Sequence, residues 1–144
     1  MATYICRAPE GLLNADIKAQ LAETITTNHA AVTDGSTAFI QVVFRSFVQE
    51  DCYIGGKPLT GPHVFIQGHI RAGRSTLERS AFVKRTLPAV SDLLGVPRYA
   101  IWIYLSELPS RAMAEFGHTL PEPGDDAAWL AALPEEDREH LRKL

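Results

Sequence analysis

Cysteine is scarce in this chain of 144 residues, and the two present, Cys6 and Cys52, stand far apart. That excludes a disulfide framework and a cysteine-based zinc site, and it makes a reducing cytoplasm the expected compartment. Long apolar runs are also missing. A run such as Ala127–Leu133 falls far short of the roughly 20 residues that a membrane-spanning helix needs. The opening Met-Ala-Thr-Tyr-Ile-Cys-Arg has no basic flank, apolar stretch or small-residue cleavage site, so no secretory signal is expected. Positive charge is not in excess. With 14 Lys and Arg against 17 Asp and Glu, the net charge of −3 argues against a nucleic-acid backbone as partner. There is no glycine-rich nucleotide loop, no nucleophile elbow and no metal-ligand spacing among the histidines, so neither cofactor nor metal is expected.

What is present is ordinary for a globular protein: 46% hydrophobic and 22% charged residues, enough for one compact domain covering 1–144. The acidity is local. From Glu122 to Leu144 there are seven acids and three bases, which leaves the preceding 121 residues close to +1. The body of the chain therefore keeps its arginines for local use.

Shifting the sequence by 61 positions brings like residues together. Tyr4 and Ile5 fall on Phe65 and Ile66, Ile40, Val42 and Phe44 fall on Ile101, Ile103 and Leu105, and Asn14 falls on Ser75. Each half reads strand, helix, strand. Thr3–Arg7 predicts a strand, and Asn14 is a good N-cap for a helix that places Ile17, Leu21 and Ile25 on one face and stops at Gly35. Ala38–Arg45 is β-branched and aromatic. In the second half Val64–Ile70 predicts a strand, Ser75-Thr-Leu-Glu78 is a capping-box pattern, and Leu77, Phe82, Leu87, Val90 and Leu94 follow at helical spacing. Gly95 and Pro97 end that helix, Pro88 inside it predicts a kink or two shorter helices, and Ile101–Leu105 is the last strand.

Helical crossovers of about 20 residues imply parallel pairing within each half. The expected fold is α+β: two fused β-α-β units, 2–47 and 62–107, forming a four-stranded sheet with two helices on one face. Trp102 and Tyr104 would lie on the other face, where burial against further subunits is the natural remedy for their exposure. Gly55–Pro62 reads as a turn-rich link, and the extension 108–144 as short helical pieces with Pro134 in a first helical turn.

The segment His69-Ile-Arg71-Ala-Gly-Arg74-Ser75 joins a strand to a capped helix. Two guanidiniums beside a helix N-terminus suit a small carboxylate; alternatively, both arginines are surface residues paired with acids. His29 continues the Ile17–Leu21–Ile25 row near the helix C-terminus, where a protonated imidazole is favoured, and it reads as a capping, packing or functional residue. Tyr104 reads as interface packing or as a catalytic hydroxyl. Glu115, a single acid near Gly117, says little alone.

Taken together, the repeat, a strand starting at residue 2, Asn28-His29, the arginine segment, Ile101-Trp-Ile-Tyr104, and the tail Met113-Ala-Glu115-Phe-Gly117 with Leu120-Pro-Glu-Pro-Gly124 resemble the tautomerase superfamily. They look most like its cis-3-chloroacrylic acid dehalogenase-like branch. The resemblance implies a homotrimer in which each sheet packs on its neighbours. It also implies that Arg71 and Arg74 clamp a substrate carboxylate with help from His29, while Tyr104 and Glu115 position and activate water. The family works through an N-terminal proline, and this chain has Ala2 instead. An α-amine there is still a plausible acid or base, since its ordinary pKa of about 7.7–8.0 would be lowered by two nearby arginines. Its basicity and positioning would differ from proline's. That role requires removal of Met1, for which Met-Ala is a normal context; otherwise Ala2 is an ordinary start to an edge strand. The expected function is tautomerase, hydratase or dehalogenase chemistry on a small unsaturated or 2-oxo carboxylate, and the alternative is a carboxylate-binding homologue without turnover.

Overall fold

The computed structural model describes residues 1–33 and 35–144. Strand β1 (Ala2–Pro9) leads to helix α1 (Ala15–Thr33), whose first turn is capped by Asn14: its Oδ1 accepts from the Ile17 amide at 2.9 Å. After β2 (Ile40–Phe47), a short hairpin of β3 (Tyr53–Ile54) and β4 (Lys57–Pro58) precedes β5 (Val64–Arg71). Helix α2 (Thr76–Leu94) then leads to β6 (Ile101–Leu108). A second hairpin, β7 (Ala114–Glu115) and β8 (His118–Thr119), is followed by α3 (Asp126–Ala132) and α4 (Glu135–Leu141).

The sheet order is β2-β1-β5-β6, parallel within each half and antiparallel where β1 meets β5. This is the expected α+β architecture. The helices and second strands repeat at the 61-residue spacing, α1 onto α2 and β2 onto β6. The first strands do not. Both β1 and β5 bury alternate residues starting from their first, so buried Tyr4 matches buried Ile66 and not Phe65. One residue of slip moves a side chain to the opposite face, which the sequence shift by itself overlooked.

Several local expectations need correction. Helix α2 runs through Pro88 as one element and not as two shorter helices, so the missing N–H is tolerated inside a helix packed on both α1 and the sheet. Leu77 is 81% exposed and takes no part in the core row. The Gly55–Pro62 link supplies half of a hairpin, with Gly55 and Gly56 both at positive φ. Pro134 stands at the N-cap of α4, one position before the first helical turn. Ala2 opens an interior strand, not an edge one.

The core lies between the sheet and the two long helices, with Tyr4, Ile66, Leu21, Ile25, Phe82 and Val90 fully buried. Polar atoms knit the helices together. The Asn28 Oδ1 accepts from Arg85 Nε at 2.7 Å, and its Nδ2 donates to Thr86 Oγ1 at 3.3 Å. The capping box at Ser75 and Glu78 is complete, and Gly95 closes α2 in the left-handed conformation at φ 63°. No helix is long and apolar enough to cross a membrane among the described residues.

Candidate active site

Arg71 ends β5 and Arg74 precedes α2, so the loop between them fixes where the guanidiniums point. Gly73 is required there. It holds φ +104°, and a Cβ would lie 2.5 Å from Pro123 Cγ. The tail is thereby seated directly over the arginine loop.

Both arginines are paired with acids, although neither stands fully exposed at the surface. Arg71 is buried and bound bidentately by Asp126, at 2.8 Å and 2.9 Å, and its Nη1 also donates to the Pro121 carbonyl at 3.0 Å. Those contacts take three of its five N–H donors, leaving at most two for a ligand. The Arg71 hydrogen bonds hold the Asp126 carboxyl below its ordinary range. Arg74 is more open. Its Nη1 donates to the Thr33 carbonyl at 2.9 Å and meets Glu78 Oε1 at 3.4 Å.

The two arginines line a cavity of about 300 Å³ together with Met1, Thr33, Phe39 and Asp126. The Arg71 amide donates to the Met1 carbonyl at 3.3 Å, tying the chain start to the cavity wall. The Met1 amine is held down to about 6 from its usual 8. Burial is the main cause; the Glu115 carboxylate opposes it, Arg71 and Arg74 reinforce it, and Asp126 opposes it. At pH 7 the neutral amine predominates.

Ala2 is buried, and with Met1 in place its nitrogen is a peptide amide. It lines a neighbouring cavity of about 310 Å³ with Glu115, Phe116 and Phe39. Glu115 sits on the β7–β8 hairpin, whose turn residues Phe116 and Gly117 both have positive φ, at 52° and 84°. Burial raises its carboxyl above the ordinary range, against the pull of the amine and Arg71. Phe39 borders both cavities, so the chain start, Glu115 and the arginines belong to one neighbourhood.

His29 is buried in α1 and behaves otherwise than its helix position suggested. Its Nδ1 lies 2.7 Å from the Tyr4 hydroxyl, and its pKa falls to about 4 from 6.5. Burial is the largest cause, followed by the amine and Arg74. Desolvation outweighs the helix C-terminus, and the ring is neutral at pH 7. With Tyr4, Thr33 and Arg74 it lines a crevice of about 10 Å³ that shares Thr33 and Arg74 with the arginine cavity.

Tyr104 lies apart from this cluster. It is 56% exposed on the outer sheet face, packed edge-on to Phe65 at 5.1 Å and stacked with Trp102 at 6.3 Å. Within one chain it borders neither cavity. Sequence reasoning did not anticipate Tyr4 or Asp126. The acidic tail was a faint signal for Asp126, whereas nothing local marked Tyr4.

Two β-α-β halves thus gather cationic and acidic side chains around the chain start. The family Tautomerase_3, described as "Putative oxalocrotonate tautomerase enzyme", matches residues 1–132. The solved structure of N1, a member of the cis-3-chloroacrylic acid dehalogenase family, superposes with a TM-score of 0.94 at 30% identity and covers 99% of both chains. The chain belongs to the tautomerase superfamily, in its cis-3-chloroacrylic acid dehalogenase-like branch. The symmetric trimer of Q0 fused 4-OT matches at a TM-score of 0.74 and 15% identity, over 82% of this chain and 94% of that one. Macrophage migration inhibitory factor of Toxoplasma gondii matches at 0.66 and 16%, over 78% and 95%. These two likenesses concern the fold alone. No curated protein matches by sequence.

Proposed function

We propose that the chain is an enzyme that moves a proton on a small unsaturated or 2-oxo carboxylate, with the amine at the chain start as the base. The observation that carries this reading is the meeting of Arg71, Arg74 and that amine on one cavity of about 300 Å³. Arg74 holds the substrate carboxylate, Arg71 contributes its remaining donors, and His29 assists from the adjoining crevice. A neutral amine at pH 7 accepts a proton more readily than it delivers one. Tautomerisation is thus favoured over hydration or dehalogenation, which would need a protonated amine as acid. Glu115, raised by burial, takes or returns the second proton. If Met1 is removed, the same role passes to Ala2.

Trimeric assembly is supported by Trp102 and Tyr104, which leave an apolar outer face uncovered in one chain. In a trimer Tyr104 would serve a neighbour's cavity rather than its own. Arg71, already held by Asp126, favours the second reading of carboxylate binding without turnover.

Assays with phenylenolpyruvate and cis-3-chloroacrylate distinguish the two. Ketonisation of phenylenolpyruvate should exceed that of an Arg71→Ala/Arg74→Ala variant by at least about 100-fold, since orientation of the substrate is lost with the clamp. Its kcat/KM should rise with pH through about 6 and then level, as the amine loses its proton. Binding of the carboxylate with no excess rate over the double variant would establish the second reading.

A further inference from the structure

Tyr4 has no exposed surface, yet its hydroxyl is directed at another buried polar group, His29 Nδ1, at 2.7 Å. The ring is fixed from several sides. It stacks on Phe82 with centroids 5.1 Å apart and lies opposite Gly68 in the β1–β5 ladder, where a Cβ would come within 2.6 Å of its edge. His29 meets the same Phe82 ring edge-on at 6.1 Å. Neither ring can turn without disturbing the other two.

The hydrogen-bond accounting sets the direction of this contact. Burial holds the Tyr4 hydroxyl far above its ordinary pKa, so it carries its hydrogen. His29 Nδ1 is the acceptor within reach of that hydrogen. Were Nδ1 the donor, the hydroxyl hydrogen would be left unpaired in the core, at a cost of about 1–3 kcal/mol. A neutral imidazole that accepts at Nδ1 must carry its single hydrogen on Nε2.

We infer that Tyr4 is a positioning residue: it locks His29 as the Nε2-protonated tautomer, so that the ring offers a hydrogen-bond donor to the oxygen of an anionic ligand. The inference rests on the proposed carboxylate site, since His29 shares its crevice with Arg74. Tyr4 has no exposed surface and acts through the His29 ring. In the other tautomer the ring would present a lone pair to a carboxylate oxygen, which repels it.

The test is a long-range proton–nitrogen correlation spectrum of the full chain labelled with ¹⁵N-histidine at pH 7, with His29→Gln identifying the His29 signals. The expected result is the neutral Nε2–H pattern. A neutral Nδ1–H pattern or an imidazolium pattern would overturn the inference. In Tyr4→Phe, which keeps the stacked ring, the pattern should move toward a tautomer mixture, and KM for phenylenolpyruvate should rise about threefold to tenfold with kcat changed less than twofold. An unchanged tautomer in that variant also overturns it. If Tyr4→Phe folds poorly, the wild-type spectrum still decides. That spectrum requires no turnover, so an inactive protein with the Nε2–H pattern would refute the proposed activity and leave the tautomer lock standing.

Discussion

Arg71 is paired with an acid, but in the interior rather than at the surface. A buried guanidinium requires a counter-charge, and Asp126 supplies it from 55 positions away in the sequence. At the proposed carboxylate site the same group would compete with an incoming ligand, and it raises the affinity of the Met1 amine for its proton. Asp126→Asn keeps an acceptor but removes the charge. We expect a stability loss of roughly 1–2 kcal/mol by thermal melting, at the low end for such a pair because Asp126 is partly exposed. Titration calorimetry with pyruvate should show binding strengthened severalfold. Weakened binding would mean that Asp126 holds Arg71 in place for the ligand rather than competing with it.

At the level of elements, the contact between β1 and β5 governs the site, because it sets Tyr4 against Gly68 and brings Ala2 opposite Ile70. Gly68→Ala would place a methyl group 2.6 Å from the Tyr4 ring and 2.7 Å from Leu105. Overpacking of this kind should cost about 1–3 kcal/mol in denaturant unfolding. A neutral substitution would show that the ring has room to shift. These elements were largely legible in the sequence, since N-caps at Asn14 and Ser75, the stop at Gly95 and the alternation in β6 are local signals. Register was not. The faces of β1 and β5 are decided by which strand each one meets, and a shift by whole repeats cannot register a one-residue slip. The same limit applies to the site. The arginine segment announced itself, but the Tyr4–His29 and Arg71–Asp126 pairs exist only once distant elements have packed.

The whole molecule builds a setting that none of its parts could supply alone. The first half contributes the chain start and His29, the second contributes both arginines, and the tail closes the cavity with Asp126 and presents Glu115 beside it. Burial by all three segments keeps the amine neutral near pH 7. This also links folding to acidity. The unfolded chain binds a proton at this amine below about pH 8, whereas the folded chain resists until about 6. The amine therefore favours the folded state fully above pH 8, and that contribution fades as pH falls through 6. The most direct measurement is the pH dependence of α-amine acetylation by limiting acetic anhydride, read by mass spectrometry of the N-terminal peptide in the native protein. The account predicts a midpoint near 6. A midpoint near the ordinary value of about 8 would contradict it, because the amine would then stand in open water, away from the two guanidiniums.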